Sequence, residues 1–278
     1  MRVLSLFDGI SCGRLALQRA NIPVERYVAY EIEPNAIKIT QKNFPDTEQC
    51  GDVQKADFSQ YKGEIDLLIG GSPCQSLSIY KTSSKEGLTG LDDIKKSGLL
   101  YYYIKALQEV QPKYFLLENV ASMPKYWRDI ITELIGGVLP IQINSDLVSA
   151  QHRERLYWTN IPNVTQPDAK NIKLKDIVFP AEKIESKYWY GEERPFKYNG
   201  DDVKVQCTML GKGFMRNTRE VYNLNATTST LMRDGDGGNR VKKIYQDGKV
   251  RKLTPIEYER LQTVPYDDFP SAGGCERG

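Results

Sequence analysis

Ile69-Gly-Gly-Ser-Pro-Cys-Gln-Ser-Leu-Ser78 follows directly on an apolar run at 65 to 69 that only Asp66 interrupts. The run reads as a buried strand, and two glycines, a proline and a cysteine mark its end. Cys74 therefore belongs to a loop at the carboxyl end of a strand, the edge at which open α/β sheets take their ligands. Gly70 and Gly71 leave room for a close approach, and Pro73 fixes the backbone that leads into the cysteine. A solitary cysteine is more often packing than chemistry. Its meaning depends on what else reaches that edge.

Upstream, residues 2 to 7 form a short apolar strand, followed by Asp8-Gly-Ile-Ser-Cys-Gly13 and a helical pattern at Leu15, Leu17 and Ala20. A strand, a glycine loop and a helix in succession present backbone N–H groups to a ligand. The loop is not the GxGxxG fingerprint, which disfavours a nicotinamide cofactor. Residues 27 to 30 make a second strand ending in Glu31, where an acid commonly takes ribose hydroxyls. Residues 34 to 44 read as a helix with Pro34 at its start. Gly51-Asp52-Val53 offers a third acid, and three acids at successive strand ends point to a nucleoside-bearing cofactor.

Downstream, the polar stretch 79 to 97 carries Lys81, Lys85, Lys95 and Lys96 and has the length of a lid or binding loop. A helix is expected over 98 to 110 and a strand over 114 to 117, ending in Glu118-Asn119-Val120. A carboxylate thus arrives at the edge that holds Cys74. A helix over 125 to 135 stops at Gly136-Gly137, and an apolar run follows at 138 to 143. In Val148-Ser-Ala-Gln-His-Arg-Glu-Arg-Leu-Tyr-Trp158, Arg153 and Arg155 lie two apart, so on an extended segment they point the same way.

The 278 residues, 40% of them hydrophobic, suffice for a sizeable core. No apolar run reaches about 18 residues and the N-terminus is interrupted too soon for a signal peptide, so a soluble cytoplasmic protein with no membrane partner is expected. Five scattered cysteines (12, 50, 74, 207, 275) make no CxxC pair, and the single histidine, His152, argues against a metal site. The net charge is +2, but residues 203 to 252 carry +7 and the remainder −5. A basic segment on a near-neutral body fits a polyanion-binding module; a solvated face is the plainer alternative. Composition changes near 162, where a domain boundary is expected. The chain returns to a clear helix at 254 to 262, with a capping box at Thr254 and Glu257 and Pro255 in the first helical position.

A thiol, a carboxylate, two arginines and a rim of acids suit attack on an electron-poor ring. For cytosine, thiolate addition at C6 turns C5 into an enamine-like nucleophile, and an acid at N3 stabilises the adduct. The arginines can lower the thiol's pKa, hold the carbonyl or anchor a phosphate. A base inside a duplex must first be flipped out.

Residues 3 to 160 and 251 to 266 resemble the DNA cytosine C5 methyltransferases. The resemblance is carried by Leu6-Phe-Asp-Gly-Ile10, Gly51-Asp-Val53, Gly70-Gly-Ser-Pro-Cys-Gln75, Glu118-Asn-Val120, Gln151-His-Arg-Glu-Arg-Leu-Tyr157 and Arg260-Leu-Gln262, in that order. The wording is closer to the vertebrate de novo enzymes and their phage relatives than to many bacterial restriction-system enzymes. The resemblance implies an α/β, Rossmann-like S-adenosylmethionine-dependent methyltransferase fold with a smaller target-recognition region. Residues 1 to 162 would be the catalytic and cofactor-binding domain, 163 to 250 the target-recognition region, and 251 to 278 a return helix and tail. It makes Cys74 the nucleophile, sets Glu118 at N3, and has Arg153 and Arg155 orient the base and the loop. Phe7, Asp8, Gly9, Ile10, Glu31, Ile32, Asp52, Val53 and Pro73 would form the S-adenosyl-L-methionine site, and double-stranded DNA would be the partner. The family's closing Gly-Asn segment and last helix have no counterpart after residue 262; that piece is dispensable, supplied by a second chain, or lost. Two other readings remain: cytosine C5 methylation of transfer RNA, and a noncatalytic nucleic-acid-binding relative.

Overall fold

The computed structural model describes residues 1–73, 98–191, 195–210, 219–231 and 241–264. Cys74, the stretch 79 to 97 and the tail after 264 lie outside the described residues. The chain divides into two compact units, one of Met1–Ile143 with Glu154–Thr165 and Ser271–Gly278, the other of Asn144–Arg153 with Gln166–Pro270.

The first unit is built on a seven-stranded sheet. In chain order its elements are β1 (Arg2–Leu6), α1 (Cys12–Arg19), β2 (Arg26–Tyr30), α2 (Pro34–Asn43), β3 (Glu48–Gln49), β4 (Leu67–Gly70), α3 (Leu99–Val110), β5 (Tyr114–Val120), α4 (Lys125–Leu134), β6 (Ile141–Asn144) and β7 (Glu154–Thr159). The strand order is β3-β2-β1-β4-β5-β7-β6. β1 to β5 run parallel, and β7 returns antiparallel to β5. Helices cover both faces of such a sheet, which is why β1, β2 and β4 are continuous apolar runs rather than alternating ones. Leu4, Leu6, Val28 and Leu68 pack in the larger core with Tyr103, Ile104 and Trp158; Val3, Tyr27, Ala29 and Ile69 form a second core. Pro34 opens α2, and Gly136 and Gly137 end the chain's turn out of α4 at φ +87 and +83.

The second unit holds a five-stranded sheet of β8 (Phe196–Tyr198), β9 (Val205–Met209), β10 (Glu220–Tyr222), β11 (Lys243–Gln246) and β12 (Lys249–Lys252), in the order β12-β11-β10-β9-β8. It also contains α5 (Pro255–Leu261), whose Thr254 and Glu257 form the expected capping box. One division falls between Thr165 and Gln166, close to the composition change near 162; the other sets apart a stretch that composition does not mark. Residues 144 to 153 go with the second unit because the His152 N–H donates to Thr228 O (2.9 Å) and the Thr228 N–H to Ala150 O (2.8 Å). α5 goes with it too, since Leu253 and Leu261 are buried against Tyr222 and Ile244.

Candidate functional site

The parallel strands place their carboxyl ends, and everything the sequence puts just after them, on one edge of the first sheet. β4 delivers Gly70, Gly71, Ser72 and the exposed Pro73 there, directly ahead of Cys74 in the chain. β5 runs past the expected end at 117 to Val120, so Glu118 lies within the strand rather than in a loop. Gly70 pairs with Leu117, which sets Gly71 beside Glu118. A Cβ on Gly71 would stand 3.0 Å from Glu118 Oε2. The second glycine is thus the space in which the carboxylate lies.

β7 supplies the cation. Antiparallel pairing sets Arg155 opposite Val120 and Tyr157 opposite Glu118, so Arg155 and Glu118 share a face one diagonal apart. Arg155 Nε lies 2.7 Å from Glu118 Oε1. Below this pair the Asn119 side-chain amide, buried, donates to Ser72 Oγ (3.1 Å) while its Oδ1 accepts from the Val120 N–H (2.8 Å). That bond ties β5 to the residue before Pro73. Arg153 lies one residue before β7 and belongs to the second unit, where its N–H donates to Asn144 Oδ1 (2.9 Å). There the His152 ring lies 3.0 Å from Asp146 Oδ2 and 2.8 Å from Asn144 Nδ2.

At the ends of β1, β2 and β3 stand the residues expected to take a nucleoside. Glu31 Oε2 accepts from the Gly9 N–H (2.8 Å), and Oε1 accepts from Ile32 and Glu33 (2.8 and 2.9 Å). Ile32 is 69% exposed, an apolar platform at a strand end. Asp52 Oδ1 accepts from the Gln54 N–H (2.9 Å), while the Val53 side chain is sunk in the core. Phe7, at φ +58, packs against that core and turns the chain into Gly9 and Ile10. A carboxylate held by backbone donors, a second acid and an exposed aliphatic surface suit a ribose diol and a purine ring, so these residues fit S-adenosylmethionine.

Asp8 behaves differently from the other rim acids. Its Oδ1 accepts from the Ser5 hydroxyl (2.6 Å) and the Tyr27 hydroxyl (2.8 Å), and its Oδ2 from the Ser11 hydroxyl. Burial pushes its pKa up, Glu31 adds to the rise, and the three hydroxyls oppose it. The sequence reading missed these partners, which are spread over residues 5, 11 and 27 and meet only once β1 and β2 are in register.

The second unit uses part of its positive charge internally. Arg251 and Glu257 are both fully buried and joined at 2.7 and 2.8 Å. Lys243 is buried as well, and Lys242 is nearly so, its ammonium donating to Ser229 Oγ (2.6 Å). Trp189 donates from Nε1 to Ile184 O (3.3 Å), with the Arg251 guanidinium 5.9 Å from its ring. The charge count therefore overstates what this unit offers a polyanion. No described helix is long and apolar enough to cross a membrane, and no cluster of metal-ligating side chains occurs among the described residues.

Orphan methyltransferase M.Rho11sI of Bacillus phage rho11s is 26% identical over 302 aligned positions, covering 86% of this chain and 58% of that protein. Type II methyltransferase M.NgoPII of Neisseria gonorrhoeae is 37% identical over 200, covering 64% and 56%. The chain thus spans little more than half the length of these curated relatives. The solved Dnmt2 methyltransferase of S. pombe superposes with a TM-score of 0.62 over 96% of this chain and 88% of its own, at 17% identity, and shares its fold. That fold is the Rossmann-like α/β fold of S-adenosylmethionine-dependent methyltransferases. The family model for C-5 cytosine-specific DNA methylases matches residues 1–274, and the chain belongs to that family.

Proposed function

We propose that the protein methylates C5 of cytosine in duplex DNA, with S-adenosylmethionine as methyl donor and Cys74 as the covalent catalyst. The observation that carries the reading is the Glu118–Arg155 pair at 2.7 Å, packed against the bare backbone of Gly71, three residues before Cys74. It gives one strand-end edge a carboxyl group and a fixed cation, beside Gly71, from which the sequence leads within three residues to Cys74.

In this reading the target cytosine leaves the duplex, because neither face of its ring can be reached within the stack. The Cys74 thiolate adds to C6 and forms the Sγ–C6 bond, while the displaced electron pair is taken up towards N3, where Glu118 donates a hydrogen bond or proton. Arg155 fixes the orientation of that carboxyl group. Arg153, on the neighbouring stretch of chain, orients the base and the loop. S-adenosylmethionine, when bound, would supply an electrophilic methyl group to C5, its S–CH3 bond breaking to leave the neutral thioether. Loss of the C5 proton to a base then expels the thiolate: Sγ–C6 breaks, the ring regains its double bond, any proton lent at N3 returns to Glu118, and the enzyme is restored. Glu31 holds the ribose through the capacity left on its oxygens, Ile32 supports the purine face, Asp52 and Val53 border the adenine, and Phe7, Gly9, Ile10 and Pro73 line the remainder.

The test is transfer of labelled methyl from S-adenosylmethionine to unmethylated duplex DNA and, in parallel, to unmodified transfer RNA, by wild type and Cys74→Ser. Label in DNA that depends on Cys74, with covalent trapping on 5-fluorocytosine DNA, is the expected result. Label confined to transfer RNA refutes the choice of substrate. Cofactor binding with no transfer to either refutes the enzymatic reading.

A further inference from the structure

We infer that Tyr27 is a positioning residue for the cofactor loop, and that Asp8 serves that loop as an internal anchor rather than as a direct ligand of the cofactor. The inference rests on the S-adenosylmethionine reading above and goes beyond it in assigning roles to Tyr27, Ser5, Ser11 and Thr40.

The loop between β1 and α1 does not hold its shape unaided. Phe7 and Ser11 are non-glycine residues at φ +58 and +61, and Gly9 lies at +62. Side-chain-bearing residues persist in that region only where the surroundings over-determine them. Here the over-determination is polar and buried. Asp8 accepts three hydroxyl bonds, from Ser5 on β1, Ser11 at the start of α1 and Tyr27 on β2. The Ser11 hydroxyl lies 3.0 Å from Thr40 Oγ1 on α2, and Thr40 reaches back to Gly9 O at 3.4 Å. Ser5, Ser11, Tyr27 and Thr40 are all buried. Three separate elements, β1, β2 and α2, are thereby pinned to a loop of a few residues.

Tyr27 is the long-range member of this set. It pairs with Val3 across the sheet, yet its hydroxyl reaches Asp8 at the strand end. The Arg14 guanidinium stands 5.4 Å from its ring, and a Cβ on Gly13 would come within 2.4 Å of Ile69 Cδ1 and 3.3 Å of the Tyr27 hydroxyl. Gly13 therefore lets the first turn of α1 close over Ile69 first and the Tyr27 hydroxyl second. With Asp8 held this way, the loop presents the Gly9 N–H to Glu31 Oε2 at 2.8 Å, which fixes the one acid positioned to take the ribose. Asp8 has its oxygens committed to hydroxyls and little capacity left for a ligand. Removing the Tyr27 hydroxyl leaves packing intact, frees one Asp8 lone pair in a buried setting, and slackens the Gly9–Glu31 contact.

The experiment is calorimetric titration of S-adenosylmethionine into the full chain, for wild type, Tyr27→Phe, Asp8→Asn and the double variant, with steady-state kinetics alongside. Tyr27→Phe is expected to weaken cofactor binding by about tenfold, roughly 1.4 kcal/mol, and to raise the cofactor KM in proportion while kcat stays within about twofold. Because Tyr27 acts through Asp8, the double variant is expected to bind no more weakly than Asp8→Asn alone. An unchanged dissociation constant for Tyr27→Phe, or full additivity in the double variant, overturns the inference. Should Tyr27→Phe fail to fold, Thr40→Val removes the opposite tether and carries the same expectation at smaller size; unchanged affinity there overturns it equally. A wild-type chain that binds no S-adenosylmethionine refutes the cofactor reading itself, and is told apart by the wild-type titration.

Discussion

Replacing Gly71 by alanine puts a methyl group 3.0 Å from Glu118 Oε2 and 3.8 Å from Glu118 Cβ. Ordinary contact begins near 3.4 Å, so the carboxylate must retreat by about 0.4 Å. It cannot do so freely, because Arg155 Nε holds its other oxygen at 2.7 Å. The backbone at 71 is not left-handed, so alanine is tolerated there and the change in stability should stay within about 1 kcal/mol. Catalysis is more sensitive: a displacement of about 1 Å costs on the order of a hundredfold, so 0.4 Å is expected to cost roughly tenfold. The assay is single-turnover methyl transfer to duplex DNA at saturating cofactor, with chemical denaturation of the same preparations. Gly70→Ala is the control. Its Cβ would meet the Tyr103 ring at 2.9 Å and the Leu6 carbonyl at 3.0 Å, in the core and away from Glu118. That variant should lose about 1–3 kcal/mol of stability. A full single-turnover rate in Gly71→Ala would refute the argument that Glu118 is seated by the missing side chain.

Asn119→Ala removes the buried bond to Ser72 and should lower the rate of trapping on 5-fluorocytosine DNA severalfold with cofactor affinity unchanged; equal effects on both would count against a local role. Glu257→Gln leaves the Arg251 guanidinium buried without its counter-charge and should destabilise the second unit by about 3–5 kcal/mol, read by urea denaturation; a loss under about 1 kcal/mol would contradict it. Burial pushes the Lys242 ammonium down to about 8 from its ordinary 10.5. The unfolded chain then holds more protons across that window, so the cost of the buried charge is felt below pH 8 and relieved as pH rises. Lys242→Met should therefore flatten a rise in stability between pH 8 and 9.5, and an unchanged profile would show that Lys242 is not its source.

The first sheet was legible because its strands are apolar runs punctuated by glycine, proline and acids, and parallel order sends every such punctuation to one edge. Glu31, Asp52, Glu118 and Gly71 could be assigned to that edge without knowing a single distance. What the pattern could not carry was direction. Asp8 and Glu31 look alike in the sequence, each an acid after an apolar strand, but Glu31 is held by the backbone N–H groups of Gly9, Ile32 and Glu33, whereas Asp8 is ringed by hydroxyls. The hydroxyl-bearing residues are separated by up to twenty-two positions from Ser5 to Tyr27, and only the β1–β2 register brings them together.

The same distinction governs the basic segment. A count of charges treats every lysine and arginine as surface, but a charge can be withdrawn from the surface when a neighbouring element supplies a buried partner. For Arg251 that partner is Glu257, outside the segment counted and on the next helix, where it also caps the chain at Thr254 (2.7 Å). One carboxylate thus neutralises a buried cation and closes a helix start, and each task fixes the position the other requires. A cation so placed cannot reach a phosphate without exposing Glu257, at a cost of several kcal/mol. In the proposed DNA-methylating reading, any contact this unit makes with DNA falls to cations other than Arg251, and substitution of Arg251 should affect stability before it affects the salt dependence of DNA binding.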